Sequence, residues 1–175
     1  MEYDFTLKFK LPSADMSADR LIEQLGAEGC NDALVGVGQA GRIALNFTRE
    51  ASSASEAVLS AIAETRRAIP GATLIEAAPD YVGLTDVAEL VGVTRQNMRK
   101  LMASHLDFPP PVHEGSSQVW HLESVLSWLV THDNDYQVEQ RLLEIAHVTM
   151  QCNLMSGTHL LDPACDQRLR ELITA

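Results

Sequence analysis

LTDVAELVGVTRQNMRKLM, running from Leu84 to Met102, is the stretch that decides how this chain is read. Val87, Ala88 and Val91 recur at helical spacing and make one apolar face. Thr85 stands where a hydroxyl can accept an orphan backbone N–H, so it is the expected cap of this first helix. Gly92 ends the helix, because glycine tolerates the left-handed conformation that the turn needs. Thr94 opens a second helix as its cap, and there Met98, Leu101 and Met102 share an inward face. The side chains left pointing out are Arg95, Gln96, Asn97, Arg99 and Lys100, three cations and two amides on the first half of a short helix. Such a helix suits the major groove: the cations meet phosphate or guanine, and the amides pair with adenine.

Downstream, Phe108-Pro109-Pro110-Pro111-Val112 reads as an extended exit, since proline disfavours helix in itself and in the residue before it. His113 to Gln118 is then a turn between Val112 and Val119-Trp120, a small hairpin. Leu122 to Val130 is a third helix carrying Val125, Leu126 and Leu129. The order is helix, turn, helix, hairpin, helix. With their spacing, LTDVAELVGVTRQNMRKLM and FPPPVHEGSSQVWHLESVLSWL (residues 108–129) resemble the MerR-like winged helix of the excisionase-type and AlpA-like phage regulators, over the middle third of the chain. The resemblance implies a bacterial, cytoplasmic, homodimeric transcription regulator with double-stranded DNA as its partner. Helix 95–104 would lie in the major groove, with Arg95, Gln96 and Asn97 on base edges and Arg99 and Lys100 on phosphates, beside Thr94. The wing, 112–120, would touch backbone through His113, Ser116, Ser117 and Gln118. Wings of that family often carry arginine or lysine near the tip, and this one carries none, so it offers hydrogen bonds in place of charge. The alternative expectation is a protein-binding adaptor or antitoxin-like protein that uses the same fold.

The formal net charge of −11 argues against a general nucleic-acid coat, whose affinity comes from neutralised phosphates. Residues 1–80 carry seven Lys/Arg against twelve Asp/Glu, residues 81–132 three against five, and residues 133–175 three against seven. All three cations of the middle segment fall between Arg95 and Lys100. An acidic body would push DNA away except at that helix, and weak binding per module favours a dimer or a larger assembly. Three cysteines, Cys30, Cys152 and Cys165, lie far apart with no Cys-x-x-Cys, which fits free thiols in a reducing compartment. Neither a signal-peptide layout nor an apolar run of membrane-spanning length is apparent, so the expected place is the cytoplasm.

The fold class expected is α+β, in three parts: 1–80, 81–132 and 133–175. Tyr3, Phe5, Leu7 and Phe9 alternate with polar residues, a half-buried strand. Ala18 to Leu25 is helical with Leu21, Ile22 and Leu25 on one side. Ala33 to Val37 and Arg42 to Phe47 are strands about a glycine-rich turn. Ser53-x-x-Glu56 is a capping box that opens a helix to Ala68, and Ala72 to Ala77 is a last strand. The order β-α-β-β-α-β predicts a ferredoxin-like domain for assembly or sensing. Gly36-x-Gly38-x-x-Gly41 matches the dinucleotide fingerprint in letters only. A strand-like Arg42 to Phe47 follows it where a helix is required, so the glycines read as a hairpin turn and no cofactor is expected. After a turn at Asp133-Asn134-Asp135, a helix is expected from Tyr136 to Met155, and Asp162-Pro163 opens a last one through Leu169, Leu172 and Ile173. Their apolar stripe fits either core packing or dimerisation.

The six histidines make no helical pair with another metal-ligand type, and tight sites need three or four converging ligands, so no metal is expected. No Gly-x-Ser-x-Gly, phosphate loop or Cys/His nucleophile pair occurs, and no catalytic residue is assigned. His113 and His121 flank the hairpin, either as exposed turn histidines or as a pH-dependent grip on phosphate. Trp120 and Trp128 read as core, with base stacking the lesser option for Trp120.

Overall fold

The computed structural model describes residues 1–132 and 136–173, so the turn expected at Asp133-Asn134-Asp135 lies outside the described residues. The first 78 residues form β1 (Glu2–Lys10), α1 (Ala18–Ala27), β2 (Ala33–Gly36), β3 (Arg42–Glu50), α2 (Ala54–Ala68) and β4 (Thr73–Ala78). The strands make one antiparallel sheet in the order β2-β3-β1-β4. Strict alternation in β1 and β3 sends Tyr3, Phe5, Leu7, Phe9, Ile43, Leu45 and Phe47 to one face, where they pack with Leu21, Leu25, Val58 and Ala61 of the helices. Gly36, Gly38 and Gly41 sit at the β2–β3 hairpin, with Gly41 at φ 75°, a conformation that glycine alone enters without steric cost. Ser53 caps α2 by accepting from Glu56 N–H at 3.1 Å.

Arg49 closes the end of this core. It is 7% exposed, lies over the Phe47 ring, and donates to Asp32 (2.7 and 2.9 Å) and to Glu64 (2.7 Å). A buried guanidinium survives only with such partners.

The second part runs β5 (Tyr81–Val82), α3 (Leu84–Leu90), α4 (Arg95–Ser104), β6 (His113–Glu114), β7 (Gln118–His121) and α5 (Leu122–His132). Its strands pair in the order β5-β7-β6. Val87, Ala88, Met98, Trp120, Leu122, Val125, Leu126 and Leu129 form its core. Both tryptophans are built in: the Trp120 indole donates to Pro109 O at 3.0 Å, and that of Trp128 to Asp107 at 3.2 Å. The Trp128 bond holds the Asp107 carboxyl below its ordinary range, against the opposing effect of burial.

The two parts share one helix, α6 (Gln140–Ser156), whose Ile145 belongs to the first core and whose Ala146 belongs to the second. Its polar residues clasp the connecting segment. Asn153 accepts from Ala77 N–H and donates to Ala77 O and to Asp80, each at 2.7 Å. Thr149 donates to Pro79 O at 2.6 Å. Asp80, 1% exposed, also meets His121 Nδ1 at 2.7 Å. A 3-10 turn (Thr158–Leu160) and α7 (Pro163–Ile173) follow.

Several expectations need correction. The first helix of the 84–102 stretch is not capped by Thr85. It starts at Leu84, with Gly83 as the cap residue, and the Asp86 carboxylate accepts from Gly83 N–H at 2.7 Å, because glycine brings no side chain of its own. Ile22 is exposed although Leu21 and Leu25 are buried, so only two of the three positions on that side enter the core. α6 begins at Gln140 and not at Tyr136; the preceding residues lay Tyr136 and Val138 against the second core. α7 buries none of its residues, and Leu172 and Ile173 are exposed, so its stripe is not core. His121 is a half-buried partner of Asp80 and not a free turn histidine.

Candidate nucleic-acid interface

α4 is placed by its two ends. At its start the Thr94 hydroxyl accepts from Asn97 N–H at 3.2 Å. Just before it, Gly92 at φ 72° turns the chain out of α3, and Val93 N–H donates to Ala88 O at 2.8 Å. Met98, wholly buried, pins the inner side. Replacing Thr94 by Ala should cost about 1 kcal/mol, read as a drop of about 2–4 °C in melting temperature for a chain of this size. Thr94→Ser should keep most of it; equal losses in both variants would mean the hydroxyl does not cap.

Arg95, Gln96, Asn97, Arg99 and Lys100 are all exposed, as their spacing predicts. Among the described residues none of the three cations has an ion-pair partner, so their charge is presented to solvent. The structure splits this set in two. Arg95 and Arg99, one turn apart, line a cleft of about 680 Å³ that α4 forms with the 113–121 hairpin and the start of α3. Gln96, Asn97 and Lys100 lie outside its lining.

Ser116 and Ser117 at the hairpin tip line the same cleft and are exposed. Gln118 lines it too but is half-buried, and its amide donates to Glu114 at 2.8 Å. His113 is exposed beside the tip and does not line the cleft. Trp120 reaches the cleft floor while only 1% exposed, which removes base stacking as a role for it. Two carboxylates were missed by the sequence reading, Asp86 and Glu114. Asp86 carried a signal, since an acid three residues into a helix often reaches back to the cap position. Glu114 stands two positions from a serine pair in a turn, and nothing local marks it as sharing a cleft with Arg95 and Arg99.

Among the described residues, no group of three or more His, Cys, Asp or Glu side chains is placed to hold a metal ion. No described helix is long and apolar enough to cross a membrane. Comparison of the chain with models of known families, with curated proteins and with solved structures finds no match.

Proposed function

We propose that this protein is a cytoplasmic transcription regulator that binds double-stranded DNA sequence-specifically, as a homodimer. We read residues 81–132 as a winged helix-turn-helix and residues 1–80 as a ferredoxin-like domain for assembly or sensing. The helix–turn–helix–hairpin–helix order supports the first reading and the β2-β3-β1-β4 strand order the second. One observation carries the functional reading: three cations that have no ion-pair partner among the described residues, and two amides, stand exposed on α4, beside a hairpin that shares a cleft with two of the cations. Arg95, Gln96 and Asn97 take base edges, Arg99 and Lys100 take phosphates, and Ser116 and Ser117 touch adjacent backbone. Asp86 and Glu114 oppose phosphate within the same cleft, so binding rests on few cations, is weak, and falls with salt along a shallow slope.

Selection of bound sequences from a random duplex pool at low salt tests this. The expected result is enrichment of one motif, arranged as two half-sites if a dimer binds. A pool that emerges unenriched, with no duplex retained, overturns the proposal. The mixed charge of the cleft then favours the second reading, an adaptor for a protein partner, which a stoichiometric protein recovered without DNA would support.

A further inference from the structure

We infer that the open face of the first sheet is a self-association surface, on which a second copy of this chain stacks with its strands running the opposite way. The helices cover only one face of the sheet. The other carries Glu2, Asp4, Thr6, Lys8 and Lys10 from β1, and Arg42, Ala44, Asn46, Thr48 and Glu50 from β3. Its charges are sorted by sign. At one end Lys10 pairs across the ladder with Arg42, and Lys8 is two residues away. At the other end Glu2 pairs with Glu50, and Asp4 is two residues away. Like charges directly opposite each other destabilise a sheet, and here two such pairs of opposite sign sit at the two ends of the same face. A second copy removes both costs at once.

The symmetry follows from the sorting. A two-fold axis parallel to the sheet plane and midway between the copies, running across the strands over the Thr6–Asn46 pair, lays Lys10 and Arg42 of one copy over Glu2 and Glu50 of the other, at both ends. The Thr6 hydroxyl donates to the Asn46 amide oxygen at 2.7 Å, so the middle of the face is neutral and adds no charge to either end. At the basic end a hollow of about 330 Å³ is lined by Lys8, Arg42, Gly36, Gly38, Ala44 and Ile75 together with Glu76, whose charge Lys8 takes up, so Arg42 is the cation left to receive an incoming carboxylate.

Neighbouring charges reduce the contrast without reversing it. Lys8 is held by Glu76 at 2.9 Å. Arg141 of α6 and the Met1 ammonium lie at the acidic end, the first shared with Glu139 and the second donating to Ala51 O. Single-stranded nucleic acid is a poor occupant, because Tyr3, Phe5, Phe9 and Phe47 all face the helices and leave no ring for stacking. At its widest the face measures roughly 30 by 19 Å, so two copies cover roughly 1,100 Å², close to the smallest area that specific interfaces use. Charge therefore decides whether the pair forms.

The inference stands apart from the DNA reading, and its test uses no DNA. Sedimentation velocity on the full chain should give a dimer at about 0.05 M salt that dissociates at about 0.5 M. Lys10→Glu with Arg42→Glu should weaken the dimer by at least about tenfold, and Glu2→Lys with Glu50→Lys should do the same. Mixing the two variants should restore a heterodimer, which misfolded chains could not give. A wild type that is monomeric at low salt, a dimer indifferent to both reversals, or a mixture that stays monomeric would each overturn the inference.

Discussion

Asn153→Ala should lower the free energy of unfolding by about 3 kcal/mol or more, since three buried groups lose a partner at about 1–3 kcal/mol each. The side chain is buried in the last turn of α6 and satisfies three groups on the segment joining the two cores: Ala77 N–H, Ala77 O and the Asp80 carboxylate. Ala77 belongs to β4, the last strand of its sheet, so Asn153 stands in for a neighbouring strand at that edge. Truncation leaves a donor, an acceptor and part of a carboxylate without partners, and His121 alone does not replace what Asp80 loses. Asn153→Asp should be no milder. It can accept from Ala77 N–H, yet it loses both donated bonds and sets a second carboxylate against Asp80. Denaturant unfolding followed by two probes, tryptophan fluorescence for residues 81–132 and far-ultraviolet circular dichroism for the whole chain, measures both. A cost below about 1 kcal/mol in each variant would show that solvent, and not the clasp, meets these groups.

The second large effect concerns DNA. Under the proposed function, Arg95→Ala with Lys100→Ala should weaken duplex binding by on the order of a hundredfold and flatten the salt dependence by about one to two counterions. The two changes act differently. Arg95 lies on the cleft side of α4, where a base contact makes its loss uneven across operator sequences. Lys100 lies on the other side, and loss of a phosphate contact weakens all sequences alike. Thermal stability should stay within about 0.5 kcal/mol of wild type, because both side chains are exposed and without ion-pair partners among the described residues. Full binding by the double variant would remove these residues from the interface.

The elements of the fold were legible wherever a local pattern spoke. Alternation from Tyr3 to Phe9 placed β1 and its buried face, and Ser53-x-x-Glu56 placed the start of α2. The Gly92–Thr94 turn placed α4 and, with it, the exposed α4 residues of the candidate interface. Errors fell where neighbours in space overrode local preference. Thr85 is a good cap residue, but Gly83 with Asp86 already closed the helix start. Ile22 shares the period of Leu21 and Leu25, yet only those two enter the core.

The sequence by itself determined which side chains α4 offers to solvent, because helical spacing within ten residues settles that question. Only the tertiary structure decided that Arg95 and Arg99, apart from Lys100, line one cleft with Glu114, and that Asp80, His121 and Asn153 meet at one buried joint. Those partners are 41 and 73 residues apart along the chain. A pattern confined to one turn or one strand carries no information about such a meeting, which exists only once both cores have closed on the same helix.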